Sequence, residues 1–442
     1  MKDRISRVLD LATRAGLECE VYGESTERFQ VEVYRGKVET MDRSSDEGIG
    51  IRLVTGGRMG YAFTNGTDME SIEFTFEEAK NNAICSTVED VDVLADDPGD
   101  PIQEGSPAFF LDEGDSAGKI EKVIEMEQAA IDFDGTIVNT EGVSYSEVSG
   151  EVFIASTRGF QRSGKRGLCS CSMAAVAKKG GEIRSGWYYC QSPDVRLLDF
   201  NATGLESAKR AFSLLDSRPM PTGRYPVIFD ASAFVDIIYF LEQALSGEMV
   251  VKGTTVLAGK LGKKVAADIL TLTDDPMLEG GCFNARFDDE GVARNTYSLI
   301  AGGILRGFLH NSWTARKSGH PNSANAVRGS YKDLPSPGAS NLFVQPGGRT
   351  LDEMLADTDR GIYIQSVMGM HTADPISGDF SVGIAGLGIE AGKRSGAVSE
   401  MTISGNVLDL LGGVVEVGRE IVFIGTYGAP PVLIEGLSVS GT

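Results

Sequence analysis

Between Lys80 and Lys119 the chain carries ten acidic residues and no basic one, with Pro98, Pro101 and Pro107 spaced through the same stretch. Like charges repel and proline cannot continue a helix or a central strand, so this segment reads as a solvated connector that divides the chain. A second interruption, Ser217-Arg218-Pro219-Met220-Pro221-Thr222-Gly223, stops any helix that precedes it. Together the two breaks give an N-terminal α+β unit over residues 1–85, an acidic Pro-containing connector over 86–115, a middle α+β domain over 116–218 and a C-terminal, mainly β domain over 224–442. The length of 442 residues leaves ample chain for cores in all three folded parts.

Within each part, periodicity sets the elements. Ile5, Val8, Leu9, Ala12 and Ala15 recur at helical spacing and Gly16 follows as a stop, so the chain opens on an amphipathic helix. Segments 27–34, 50–54 and 59–64 alternate and are separated by Arg35-Gly36-Lys37 and Thr55-Gly56-Gly57-Arg58, the pattern of antiparallel hairpins; a helix over about 68–83 follows. Ile120, Val123, Ile124, Glu127 and Ile131 mark a further helix, 136–189 reads as strands punctuated by glycine, and 194–215 as helical. Beyond the second break come a short buried strand at Pro226-Val227-Ile228-Phe229, a Phe-, Ile- and Tyr-rich helix over 231–244, and then strand-like, glycine-rich segments including 297–306, 362–367, 380–389 and 421–439. The fold class is α+β: a small N-terminal α/β unit, a middle α+β domain and a large, mainly antiparallel β C-terminal domain.

Charge excludes one class of function. Forty-one Lys and Arg against 63 Asp and Glu leave a formal charge of −22, and a chain that binds duplex phosphate would have to concentrate cations against its own field. No direct nucleic-acid contact is expected. There is no run of 18 apolar residues and the first eight residues carry charges where a signal peptide has its apolar stretch, so the expectation is a cytoplasmic protein that makes no use of a membrane. Six cysteines contain no C-x-x-C pair; Cys169 and Cys171, two apart on a strand, read as small buried hydrophobes.

Motifs for local chemistry are missing. The three histidines, His310, His320 and His371, have no second His within five residues, so the paired imidazoles of a zincin helix do not occur. His310 and His320 lie in a polar stretch that suits solvated or backbone-bonded rings, and His371 stands beside Thr372-Ala373-Asp374. The stretch 253–260 places its Gly-Lys one residue too late for a phosphate loop, and Gly383, Gly386 and Gly388 fall inside a strand pattern, where close packing or a bulge accounts for them.

Longer words carry more. Gly253-Thr254-Thr255-Val256 through Gly262, Phe287-Asp288-Asp289-Glu290-Gly291-Val292, Leu299 through Phe308, Thr314-Ala315-Arg316, Asn325-Ala326-Val327-Arg328, Ser377-Gly378-Asp379-Phe380-Ser381, Ile389-Glu390-Ala391-Gly392-Lys393 and Ile403-Ser404-Gly405-Asn406 follow one another in order. In these words the chain resembles the TldD/PmbA family, long labelled modulators of DNA gyrase and understood as a zinc-dependent protease system. In that family the TldD kind carries a His-Glu-x-x-x-His helix and a later Cys as zinc ligands, with the Glu as general base; the TldE kind, also called PmbA, lacks them and pairs with TldD. Registered on Gly253-Thr254-Thr255-Val256, the two His and the Glu fall at Ile238, Gln243 and Tyr239 here, and the Cys near Tyr427.

The resemblance therefore implies a TldE/PmbA-like subunit with no catalytic or metal residue and no cofactor of its own. Zinc is expected in a TldD-type partner, with which this chain would form a heterodimer, or a homodimer when alone, around a chamber that takes unfolded peptides. Candidate chamber or peptide-contact residues are Asn325, Arg328, His371, Ser377, Gly378 and Asp379. Two other readings stay open: a metal-independent hydrolase using His371 with Asp374 or Asp379, and a non-catalytic regulatory protein on the same fold.

Overall fold

The computed structural model describes residues 1–87, 93–96 and 106–441. Its first half is organised by one long antiparallel sheet. Helix α1 (Lys2–Ala15) leads into β1 (Glu18–Tyr34), β2 (Lys37–Thr55) and β3 (Arg58–Thr64), then α2 (Met69–Cys85) and α3 (Ser116–Ile131). Strands β4 (Ile137–Ser156), β5 (Gln161–Lys179) and β6 (Glu182–Ser192) and helix α4 (Phe200–Ser213) complete it. The sheet order is β3-β2-β1-β4-β5-β6, with β1 paired to β4 from Glu20↔Ser156 to Val33↔Val143. The segments on either side of the acidic stretch therefore share one hydrogen-bonded sheet, and 14 consecutive residues of β1, Glu20 to Val33, are paired across the break in sequence with β4.

Strand alternation then assigns the two faces. Odd positions of β1, such as Cys19, Val21, Phe29, Val31 and Val33, point to the side covered by α1 and α2 near one end and by α3 and α4 near the other. Glu127 occupies a buried position on α3 because both its carboxylate oxygens cap the β1–β2 turn, accepting from Arg35 N at 2.9 Å and Gly36 N at 2.7 Å, with Thr140 Oγ1 at 2.6 Å. Even positions, Glu20, Tyr22 and Glu24 among them, face the C-terminal half.

Two expectations change here. The β1–β2 hairpin is far longer than the alternating segments suggested, because residues 37–46 are solvent-exposed and need no apolar alternation to be paired strand. The acidic stretch, read as a solvated connector, is packed at one point: Val93, Leu94 and Ala95 are buried and Asp96 pairs with Arg158 at 2.8 Å and with Arg316 at 2.9 Å, whereas Asp96 itself, Ala108, Phe110 and residues 113–115 are exposed. Pro98 and Pro101 lie outside the described residues.

The C-terminal half holds one large core between two six-stranded sheets. In one, β7 (Gly223–Phe229) lies between the strands Arg360–Met368, parallel to it, and Val432–Ser440, antiparallel, with Asp379–Glu390, Lys393–Asn406 and Val414–Val417 completing the sheet. The other contains Leu272–Asp274, Tyr297–Ala301, Leu342–Val344 and Tyr427–Ala429. Helix α5 (Ala231–Leu245) packs against strands of both sheets, which is why it is apolar nearly all round; Phe234, Ile237, Ile238, Leu241 and Leu245 are fully buried. Its N-cap Asp230 accepts from Ser232 N and from Arg210 Nη2 of α4, both at 3.0 Å, and so ties the two halves. The strand glycines are close-packing sites as expected: a Cβ on Gly386 would fall 2.0 Å from the Tyr363 carbonyl. Short helices at Gly247–Lys252, Ser312–Ser318, Leu351–Ala356 and Val407–Gly412 interrupt what the sequence suggested was continuous strand.

Candidate functional site

A cavity of about 820 Å³ lies between the even face of the first sheet and loops of the C-terminal half. Its sheet wall carries Glu24, Thr26 and Arg28 of β1, Ser44 and Asp46 of β2, and Val148, Gly150 and Val152 of β4. The opposite wall comes from residues 281–285, 327–330 and 337–340, with Glu242 of α5 and Tyr427 at its base. Arg28 and Lys165 reach this space exposed and without an ion pair among the described residues, whereas Glu24 is raised above the ordinary glutamate range by burial.

One side of the cavity is closed by buried ions. Glu20 and Arg52 are direct cross-strand partners on β1 and β2, with Arg52 Nη2 2.7 Å from Glu20 Oε2. Two residues of the C-terminal half join them: Glu290 Oε1 lies 2.9 Å from the same Arg52 nitrogen, and Arg328 Nη2 lies 2.6 Å from Glu20 Oε1. Asp289 pairs with Arg166 of β5 and accepts from Arg328 N at 2.8 Å; burial opposes its charge, yet the Arg166 guanidinium holds the carboxyl below the usual range. Asp288 has no cation that close, and burial and the Glu290 charge push it up to about 7. The docking also needs Gly48, where a Cβ would meet the Tyr331 ring at 2.2 Å. The three adjacent acids of the Phe287–Val292 word are thus the buried plug by which the C-terminal half holds the sheet. Three consecutive carboxylates look solvent-exposed in a sequence; here cations from distant strands offset the burial of Asp289 and Glu290, and the backbone N–H groups of Glu290, Val292 and Ala326 satisfy Asp288.

The base of the cavity is built differently. Tyr427 donates to Glu242 Oε2, Ala339 N donates to Glu242 Oε1 at 2.7 Å, and burial raises Glu242 above its ordinary value. The Tyr239 and Tyr427 rings meet edge to face, centroids 5.6 Å apart. Of the positions singled out by the family register, two are brought together: α5 presents Tyr239 toward Tyr427, while Ile238 is fully buried and Gln243 is exposed. Zinc sites take thiolate, imidazole or carboxylate donors. A hydrocarbon, two phenols and an amide do not make such a set, and among the described residues no three His, Cys, Asp or Glu side chains form a group that could hold a metal ion. Glu242 was not anticipated; its one sequence signal is a carboxylate four residues after Ile238 on an otherwise apolar helix.

Of the candidate contact residues, Arg328 lines the cavity, with its guanidinium fully buried over the Tyr22 ring. Asn325 is buried behind that wall, donating to Asp274 Oδ2 at 2.7 Å and to the Gly338 carbonyl. His371, Ser377, Gly378 and Asp379 do not line it. Residues 377–379 form a turn around Gly378 (φ +82°), held by Asn406 Nδ2 to the Ser377 carbonyl and to Asp379 Oδ1. No hydrogen bond joins His371 to Asp374 or Asp379 among the described residues. His310 departs from the solvated ring that its polar surroundings suggested: it is buried, with Nδ1 3.1 Å from Thr314 Oγ1 and Nε2 3.1 Å from His320 Nδ1, and burial followed by the His320 charge lowers it to about 4.

This arrangement, a shared N-terminal sheet closing a cavity against a two-sheet domain, has the three-part construction of a metallopeptidase group. Residues 19–83, 111–215 and 222–441 match the models for PmbA/TldA metallopeptidase domain 1, central domain and C-terminal domain, in that order. The chain belongs to the PmbA/TldD family. It is 28% identical over 453 residues to the metalloprotease PmbA of Escherichia coli O157:H7, spanning 100% of this chain and 96% of that protein. A proposed modulator of a DNA gyrase from Thermotoga maritima has a solved structure that covers 99% of this chain and 100% of its own, with a TM-score of 0.90 at 28% identity. The structure of TldE from Thermococcus kodakarensis superposes with a TM-score of 0.92 at 23% identity, over 99% of this chain and 100% of that one, a likeness of fold.

Proposed function

We propose that this chain is the metal-free, TldE/PmbA-like subunit of a TldD/TldE-type metalloprotease and that it walls the chamber in which a zinc-carrying partner cleaves unfolded peptides. The observation that supports the reading is the chemistry at the positions that the family register gives to the base and zinc ligands of the TldD kind: Tyr427 at the base of the cavity, Tyr239 against its ring, and Ile238 and Gln243 on the same helix. Without imidazole or thiolate there, no water is brought to a pKa near neutrality for attack on a peptide. What remains is a sheet-walled space of mixed polar and apolar lining with Arg28 and Lys165, cations without an ion pair among the described residues, suited to holding an extended chain by its carbonyl and carboxylate oxygens.

The test is co-expression with a family member that carries the zinc motif. Co-elution of the two chains, with peptide hydrolysis that requires both, is the expected result. Chelator-sensitive hydrolysis by this chain alone would overturn the reading.

A further inference from the structure

Strand β6 sets Cys190 directly opposite Cys171 of β5 in the antiparallel register. Residues paired in this way have Cα atoms about 4.5–5.5 Å apart, within the span of a disulfide. Both side chains point toward α4: Cys171 Sγ lies 3.5 Å from Thr203 Oγ1 in its first turn, and the backbone N–H of Asp199, its N-cap, is directed at Cys190 Sγ. The free N–H groups and dipole at that end of a 14-residue helix favour a thiolate. The neighbouring Cys171 thiol and then the Asp199 N–H lower Cys190 to about 7, against burial, while the same thiol contact and burial push Cys171 well up. Cys190 is half-buried and Cys171 buried, so one sulfur is reachable and its partner is sheltered.

The other cysteines are placed differently. Gln191 points to the opposite face of β6, where it contacts Cys282 and grips Gly425, donating to its carbonyl at 2.7 Å and accepting from its N–H at 3.1 Å. Cys282 therefore lies across β6 from Cys190, near enough for the two charges to interact but on the other face of the strand. Cys169 shares a face with Cys171 but is paired across the sheet with Ser192, to whose carbonyl its thiol donates at 3.0 Å.

We propose that Cys171 and Cys190 are a redox-active dithiol that closes to an intrachain disulfide when the protein meets a hydroperoxide. In the first step the Cys190 thiolate attacks the peroxide; an S–O bond forms, the O–O bond breaks, and the departing oxygen takes a proton to leave as water or an alcohol. In the second step Cys171 Sγ attacks the Cys190 sulfenic sulfur; the S–S bond forms, the S–O bond breaks, and the hydroxide leaves as water with the proton of the Cys171 thiol. Two thiols lose two electrons and the peroxide gains them. The link pins the edge strand β6, and with it the Gln191 clamp on Gly425 two residues before Tyr427. The reading of Cys171 as only a small buried hydrophobe missed its partner, because Cys190 is 19 positions away in sequence.

The test uses the reduced full-length chain, treated with hydrogen peroxide, alkylated in denaturant, digested without reduction and mapped by mass spectrometry. The expected product is a Cys171–Cys190 linked peptide, two hydrogens lighter and reversed by dithiothreitol, with an initial rate that climbs with pH and levels off above about pH 7. Cys190→Ser abolishes the link, Cys282→Ser retains it, and Cys171→Ser leaves a Cys190 sulfenic acid that dimedone labels. Failure of wild type to form the link while its circular dichroism stays native, or a link from Cys190 to Cys169 or Cys282 instead, would overturn the proposal. The wild-type map decides the matter even where a serine variant does not fold.

Discussion

The side of the cavity joins the two halves of the chain, whereas its base is built within the C-terminal half alone, and the two are held by opposite means. At the side, Glu20, Arg52, Glu290 and Arg328 form buried charge pairs and buried Asp289 faces a partly exposed Arg166, so each carboxylate meets a guanidinium. At the base a phenol and a backbone N–H serve a single carboxylate, and no cation takes part among the described contacts of Glu242. A buried ion pair contributes little net stability but is costly to break, so the side is an all-or-none lock. A phenol–carboxylate hydrogen bond is a modest and replaceable tie. A scaffold held by such a lock can stand while the chemistry at its base varies.

Breaking the lock is the largest expected effect. Arg328→Ala takes from buried Glu20 one of its two guanidinium partners, leaving Arg52, and loses the hydrogen bonds to the Asp289 and Asp333 carbonyls; unfolding free energy should fall by about 3–5 kcal/mol in denaturant titration. A loss below about 1 kcal/mol would show that the pair is solvated and that the lock does not exist.

A pH effect comes next, behind the same wall, where the helix Ser312–Ser318 sends the Ser312 N–H to Glu290 Oε2 at 2.8 Å. His310, just before that helix, stays neutral to about pH 4 when folded and takes a proton near 6.5 when unfolded. Between those values the unfolded chain binds more protons, so stability present above pH 6.5 is lost as pH falls toward 4, by roughly 3 kcal/mol at 1.36 kcal/mol per unit. The groups facing the ring are Thr314 and His320. Comparing wild type with His310→Gln across that window should reveal the slope in the wild type and its absence in the variant; equal slopes would contradict the assignment.

At the base, Tyr427→Phe removes one of two donors to Glu242 and should cost about 1–2 kcal/mol, less than Arg328→Ala. A cost equal to that of the lock would erase the distinction between the two regions. An exposed pair gives the lower bound: Glu206→Gln, opposite Lys209 on α4, should change stability by under about 0.5 kcal/mol.

How far the sequence carried the reading follows the same division. The strand Asp379–Glu390 announced itself by apolar alternation in its first half and by glycine in its second, where both faces are buried, and the family words located α5 and Tyr427. The pairing of β1 with β4 had no such signal, since the residues that meet are more than a hundred positions apart and register is written in neither strand alone. Buried charge was hidden for a related reason. Glu290 or Glu20 reads as surface until Arg52 and Arg328 are seen to converge on them, and His310 reads as solvated until His320 and Thr314 close around it.

The central claim is that this chain is a wall without a metal of its own. The most direct measurement is metal content by mass spectrometry of the purified chain after incubation with zinc and exhaustive dialysis, with peptide hydrolysis assayed on the same sample. The expected result is zinc far below one ion per chain and no hydrolysis; one tightly bound zinc per chain, with peptidase activity abolished by a chelator, would contradict it.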